Sequence, residues 1–281
     1  MEQRFKKHIN SLLGFADNRK ILVAVSGGVD SGVLAHLISK CGFAFEMAHV
    51  NYKLRGADSD LDENFVNDFA NSLQVPVATA TLPLQTDDSG IQEKARKLRY
   101  AWFKELVDLH HYDAVLTAHH ADDQLETLFM RLSRGSGVEG LGGIHPKNGF
   151  LVRPLLPFFK KELVAYAKAH NLEWREDTSN SSTKYLRNAV RHNVMPGFLS
   201  LSSQTAKNAL TSMQHLQDAH SAISEHVNVI KQQWSYMPES THIPLMSIQN
   251  LNPKTFWLHH IFAPYGFDAV SYTHLTLPTK A

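Results

Sequence analysis

The apolar run Ile21-Leu22-Val23-Ala24-Val25 breaks directly into Ser26-Gly27-Gly28-Val29-Asp30-Ser31 and then into a helical pattern, Ser31–Lys40. A β-rich run that ends in paired glycines and restarts as a helix is a strand–turn–helix unit. Glycine lets the backbone turn sharply there and come close to a ligand. The amides that open the helix lack intrahelical partners and attract anions, while Ser26 and Ser31 add hydroxyls. The segment reads as a phosphate cradle at the carboxyl end of a strand. It matches neither GxxxxGK followed by Ser or Thr nor GxGxxG, and it holds no lysine of its own for a terminal phosphate.

The alternation continues down the chain. Phe43–Val50, Val75–Leu82 and Ala114–Thr117 read as strands, and Asp58–Leu73, Ile91–Leu109 and Asp122–Leu132 as helices. This predicts an α/β, Rossmann-like fold, a parallel sheet with helices on both faces, followed by the start of a helical domain. The helix from Ile91 is expected to open on a capping box, Ser89 with Gln92. Its expected buried stripe is Ile91, Ala95, Leu98, Trp102, Leu106 and Leu109, with Arg96 and Arg99 on one flank. Five glycines between Arg134 and Gly143 predict a flexible loop. Thr205–Trp234 reads as an amphipathic helix, after which Pro238 and Pro244 interrupt. These changes divide the chain into 1–205, 206–270 and a tail, 271–281, that has no periodicity and is of doubtful origin.

Charge narrows the partners. The 281 residues carry 28 Lys+Arg against 27 Asp+Glu, a net +1, which excludes a polycation that binds nucleic acid by bulk composition. Basic excess is local instead, at 91–104 and at 153–193, each a net +4, whereas 201–281 adds no net charge. The one cysteine, Cys41, excludes an intramolecular disulfide and a cysteine metal cage. Ile21–Val25 is too short to span a bilayer, and the N-terminus lacks the apolar core of a secretory signal, so a cytoplasmic protein with no membrane contact is expected.

Four further constellations carry chemistry. His49, Asn51 and Arg55 follow the second strand and are expected to point into the crevice, although loop solubility would also account for them. Arg96 and Arg99 are either a solvated basic face or a substrate-facing one. Thr117-Ala-His-His-Ala-Asp-Asp-Gln-Leu-Glu-Thr127 opens a helix after the fourth strand. One acid there would complement the helix dipole, worth about 0.3–1 kcal/mol, but Asp122, Asp123 and Glu126 beside His119 and His120 exceed that need. Zinc is disfavoured because HExxH spacing and a cysteine partner are lacking, and carboxylates favour Mg²⁺ with ATP phosphates instead. Ser179 and Asn180 suit a turn, and Tyr185, Arg187, Asn188 and Arg191 then offer aromatic and guanidinium surfaces for a splayed base and its phosphates.

ILVAVSGGVDS resembles the pyrophosphate loop of N-type ATP pyrophosphatases. His49–Arg55 is similar to HxNHxLR of the tRNA(Ile)-lysidine synthetase branch, departing from it at Tyr52, and Gln92–Tyr100 matches QExARxxRY. Asp177–Arg191, ending at Pro196, matches DxSNxxxxYxRNxxRxxxxP. With Arg134-Gly-Ser-Gly and Arg153-Pro-Leu-Leu, the resemblance covers roughly residues 18–200.

It implies a two-step ligation. ATP would adenylate the C2 carbonyl oxygen of the wobble cytidine of an isoleucine tRNA with a CAU anticodon, releasing pyrophosphate. Free L-lysine would then displace AMP to give lysidine. Implied for nucleotide are Ser26, Gly27, Gly28, Val29, Asp30 and Ser31, with Mg²⁺ on Asp30. Asp30, Arg99, Asp123 and Glu126 are the implied catalytic residues. His49, Asn51, Arg55, Arg96, His119, Arg134, Tyr185, Arg187, Asn188 and Arg191 are implied for substrate. At a side-chain pKa of about 10.4, roughly one lysine amine in 2,500 is neutral at pH 7, so one carboxylate, Asp123 or Glu126, must accept a proton. Residues 1–205 would be the catalytic domain and 206–270 the incomplete beginning of a helical tRNA-binding domain, with a homodimer left open. A tRNA thiolase on the same fold, which would rely on paired cysteines or an iron–sulfur cluster, and a nucleotide-binding module without catalysis are the alternatives.

Overall fold

Ile21 and Val23 of the first strand face one hydrophobic cluster and Leu22 faces another, the period-2 signature of a strand buried on both sides. The computed structural model describes residues 1–14, 19–54, 56–84, 90–175 and 186–267. Helix α1 (Glu2–Leu13) leads into β1 (Ile21–Ala24), α2 (Val29–Lys40), β2 (Phe45–Asn51), α3 (Ala57–Leu73), β3 (Val77–Thr81), α4 (Ile91–His110), β4 (Ala114–Leu116) and α5 (Ala121–Leu132). After the short α6 (Val138–Leu141) come β5 (Lys147–Asn148), β6 (Leu151–Val152) and α7 (Lys160–Ala169). The sheet order is β3-β2-β1-β4-β6-β5, parallel except for the β5–β6 pair.

One face of the sheet packs Phe5 and Ile9 of α1, most of α2, and Leu163 and Ala167 of α7 against Ile21, Val23, Met47 and Leu116. The other face packs Phe103 of α4 and Tyr112 against Leu22, Ala48 and Val115. The expected doubly covered parallel sheet is therefore present. Because β2 lies on one side of β1 and β4 on the other, the chain reverses direction across the sheet between them, and the carboxyl ends of β1 and β4 border the resulting crevice.

Three expectations need correction or placing. Leu109 is 72% exposed, while Phe103 is the helix's fully buried side chain. Six residues carry Leu109 about 120° around the helix from Phe103 and out of the buried stripe, whereas the expected Trp102 and Leu106 do pack with Tyr100, Phe103 and Val107 against the sheet. The glycine-rich segment is not loop throughout, since Val138–Leu141 forms a helical turn. One of its glycines serves close packing: a Cβ on Gly142 would stand 2.9 Å from Gln217 Cγ, and Gln217 Nε2 donates to the Gly142 carbonyl at 2.6 Å. Ser89 lies outside the described residues, and the residue that precedes α4 is Gly90, with φ 70°.

Two compact units result, Met1–Arg134 with Gly143–Leu210, and Gly135–Gly142 with Thr211 onward. The long helix α10 (Thr205–Lys231) begins in the first and continues in the second, after α8 (Leu186–Ala189), a π-helical turn at Val190–Val194 and α9 (Met195–Ser200). The second unit has its own core of Val227, Ile230, Trp234, Leu258, Ile261 and Phe262. The tail 271–281 lies outside the described residues. Among the described residues no helix is long and apolar enough to cross a membrane.

Candidate nucleotide site

The glycine loop is braced from within. Ser31 Oγ accepts the Ser26 N–H at 3.1 Å and donates to the Gly28 carbonyl at 3.0 Å, and the two serine hydroxyls lie 3.2 Å apart. Ser31 is buried and spends its hydroxyl on the loop, whereas Ser26 is exposed and available. Gly27 sits at φ 88°, a conformation that side chains with Cβ rarely adopt, which is why the turn needs glycine there. The carbonyl of Gly27 accepts the Arg175 N–H at 3.1 Å, tying a distant segment to the loop. Val29 opens α2 and buries its side chain, so only its backbone faces the loop.

His49 and Asn51 are inside rather than in the open crevice. His49 Nδ1 donates to the Val25 carbonyl at 2.9 Å, anchoring the strand end that feeds the loop. Asn51 Nδ2 donates to Asp60 and Glu63 at 3.0 and 2.8 Å, and its Oδ1 accepts the Lys53 N–H at 2.9 Å. Asn51 thus ties the end of β2 to α3 and has little left for a ligand. Arg55 and Tyr185 lie outside the described residues, as do Ser179 and Asn180.

The first turn of α5 meets the loop through ions. Lys160 Nζ donates to both Asp30 oxygens at 2.6 and 2.8 Å, and the Lys160 N–H donates to Asp122 Oδ2 at 2.7 Å. His120 has Nε2 at 3.6 Å from both Asp30 and Asp123 and Nδ1 at 3.5 Å from Asp122. Burial opposes its protonation, but hydrogen bonding to Asp122 and Asp30 and the charge of Asp123 win and raise its pKa to about 9. Its neighbour behaves in the opposite way. Burial first, then the charges of Arg153, Arg187, Arg99 and Arg96, push His119 down to about 3, and its Nδ1 pairs with Thr117 Oγ1 at 3.0 Å.

Further along α5, Asp123 and Glu126 meet two arginines. Arg187 bonds Asp123 Oδ1 at 2.5 Å and Glu126 Oε2 at 2.7 Å, while Arg191 takes Glu126 through Nε at 2.6 Å and Nη2 at 3.1 Å. Their four-residue spacing puts both guanidiniums on one side of the helical run. Glu126 is only 2% exposed, and both its oxygens are engaged. In this arrangement the two arginines pair with the acids rather than face open solvent. Asn188 is buried beside them, and Arg134 stands exposed beyond α5.

Arg96 and Arg99 line a cavity of about 330 Å³ with Tyr52, Leu54, Ile91, Gln92 and Ala95. Both guanidiniums lie over Tyr100, at 4.7 and 5.5 Å from its ring centre. Arg99 Nε is buried and has no hydrogen-bond partner among the described residues. Lys160 was missed in the sequence. Its signal was a lysine pair at the start of a helix, where the backbone dipole disfavours cations unless an acid meets them.

A family model described as the PP-loop domain matches residues 1–198. The chain is 37% identical over 208 residues to a tRNA(Ile)-lysidine synthase of Parabacteroides distasonis, covering 73% of this chain and 48% of that one. It is 34% identical over 236 residues to a tRNA(Ile)-lysidine synthase of Chlorobaculum tepidum, covering 81% of this chain and 70% of the relative. The chain belongs to the tRNA(Ile)-lysidine synthase family of PP-loop proteins. It spans about half the length of the Parabacteroides relative. The U34-tRNA thiolase NcsA from Methanococcus maripaludis, solved with its [4Fe-4S] cluster, superposes with a TM-score of 0.64 at 16% identity, covering 77% of this chain and 78% of that one; the likeness is one of fold. Within the lysidine synthase family pattern the departure at Tyr52 is structural: Tyr52 Oη donates to the Ala95 carbonyl at 3.0 Å and fixes the start of α4 beside the cavity.

Proposed function

We propose that the chain joins free lysine to carbon 2 of the wobble cytidine of an isoleucine tRNA with a CAU anticodon, at the expense of ATP. What supports this reading is the meeting of the glycine loop with the Asp122–Asp123–Glu126 helix at the crevice between β1 and β4. The carbonyl oxygen of cytosine is a poor leaving group until phosphorylated, so the energy comes from cleavage between the α and β phosphates. The loop amides and Ser26 hold the phosphates. Arg99, with its unpaired Nε, stabilises charge at the adenylate.

Asp123 receives the lysine ammonium and takes its proton on attack. It bonds Arg187 through one oxygen and the His120 N–H at 2.9 Å through the other. Glu126, saturated by two arginines, keeps them in place. The cytidine enters splayed from its stack, because a stacked base cannot reach the crevice. Arg96 lies on the exposed rim of the cavity, placed for the tRNA backbone.

Mg²⁺ bound with ATP phosphates needs only one or two carboxylates, and Asp30 would hold it on releasing Lys160, which takes both its oxygens here. A thiolase reading meets an obstacle in Cys41, which caps the far end of α2, about 18 Å along the helix from the loop. Its thiol packs against the core, and burial raises its pKa.

Incubation with isoleucine tRNA, ATP and labelled lysine tests the reading. Label should enter the tRNA only with ATP present, with one AMP released per lysine joined. Sulfur transfer to the tRNA, or nucleotide turnover that never yields lysine-bearing tRNA, overturns it.

A further inference from the structure

Lys160 is the first residue of α7, where the helix dipole already presents positive charge. The residue nonetheless links both acids that flank the crevice: its ammonium takes Asp30 on α2 and its backbone N–H takes Asp122 on α5. The side chain is 42% exposed, so the ammonium is held at the surface of the crevice and within reach of a ligand. The glycine loop has no lysine of its own, and Asp30 lies in the first turn of the helix that follows it.

We propose that Lys160 is the missing phosphate cation of this loop, supplied from 130 residues away, and that it exchanges Asp30 for the pyrophosphate half of ATP. The inference rests on the ATP-cleaving reading above. In that reaction the cytidine carbonyl oxygen forms a bond to the α-phosphorus. The bond from the α-phosphorus to the bridging oxygen breaks, and its electron pair leaves with pyrophosphate. An ammonium hydrogen-bonded to the departing phosphates offsets that charge, and no proton need be transferred. Asp30 holds the ammonium at the loop beforehand. When Lys160 moves away, His120 Nε2, 3.6 Å from Asp30 Oδ2, keeps a positive charge beside the carboxylate.

The competing role is a plain tether of α7 to α2. Calorimetric titration of the 281-residue chain with inorganic pyrophosphate and, separately, with AMP distinguishes the two. Lys160→Gln should weaken pyrophosphate binding by about tenfold or more and leave AMP within about twofold, since AMP lacks the phosphates that Lys160 meets. Lys160→Arg should restore most of the loss, and Lys161→Gln should change neither ligand.

Pyrophosphate affinity unchanged in Lys160→Gln overturns the proposal, whatever happens to the melting temperature. So does an equal loss for both ligands, the mark of a tether whose removal disturbs the loop. Wild-type chain that binds AMP but not pyrophosphate overturns it as well. The functional reading fails by a different result, a chain that binds both ligands yet never joins lysine to tRNA.

Discussion

The carboxylate of Glu126 receives Arg191 through two nitrogens at once, Nε to Oε1 at 2.6 Å and Nη2 to Oε2 at 3.1 Å. Such a fork-on-carboxylate pair fixes orientation as well as charge. Glu126→Gln keeps the shape but leaves two guanidiniums facing a neutral amide. Breaking a fully buried pair costs about 3–5 kcal/mol; the arginines retain about a third of their exposure, so about 2 kcal/mol is expected here. Thermal melting should fall by several degrees, and saturating lysine should not restore turnover. Full recovery at high lysine would make Glu126 a lysine ligand instead.

Adjacent histidines should titrate in opposite directions. His120, raised to about 9, is more basic folded than unfolded. Its stabilising contribution is complete below about pH 6.5 and is lost as pH climbs toward 9. His119, lowered to about 3, stays neutral in the fold while the unfolded chain takes a proton, so stability declines as pH falls from about 6.5 toward 3. NMR of the ring protons should show His120 still charged at pH 8 and His119 without a titration between pH 5 and 8. His120→Asn should flatten the alkaline slope of melting temperature against pH.

The two loop glycines should respond differently to alanine. Gly27→Ala forces a Cβ onto a φ of 88°, costing about 1–2 kcal/mol although the nearest atom, Phe65 Cδ1, is 3.7 Å away. Gly28 has an ordinary φ of −79°, and a Cβ there would meet only Ser26 Oγ at 3.6 Å. Gly28→Ala should leave the melting temperature nearly unchanged and weaken ATP binding by crowding the phosphate approach. Paired melting curves and nucleotide titrations check both halves.

Tyr52 tests how the cavity is held. Tyr52→Phe removes the bond to the Ala95 carbonyl, worth about 0.5–1.5 kcal/mol, while keeping the ring. Arg99 then loses its fixed helix start, and kcat should fall more than the KM for ATP changes. A normal kcat in Tyr52→Phe would show that the hydroxyl is dispensable.

Local sequence carried the backbone of this site but not its side-chain pairings. The strand–glycine–helix pattern located the loop because period-2 burial and the left-handed Gly27 are local properties. The pairings join residues 64 or 65 apart for Arg187–Asp123 and Arg191–Glu126, and 130 apart for Lys160–Asp30, so no local period records them. Asn51 shows the converse. A polar residue at a strand's carboxyl end looks like a ligand contact, yet Asp60, Glu63 and the Lys53 N–H engage its amide, whereas His49 spends only Nδ1 on the Val25 carbonyl and keeps a buried Nε2 without a partner among the described residues. Strands β5 and β6, two residues each, were too short to leave an alternating pattern.

The long reach from Lys160 to Asp30 also orders events during synthesis. The ribosome completes the glycine loop by residue 31, but the ammonium that meets Asp30 is added at residue 160 and the guanidiniums that clamp Glu126 at residues 187 and 191. The N-terminal strands and their apolar faces emerge well before these counter-ions and pair first with near neighbours. A nascent chain ending before Lys160 thus leaves Asp30, Asp122 and Asp123 to His120 alone among the counter-ions named here, and Glu126 to none, beside a loop made for anions.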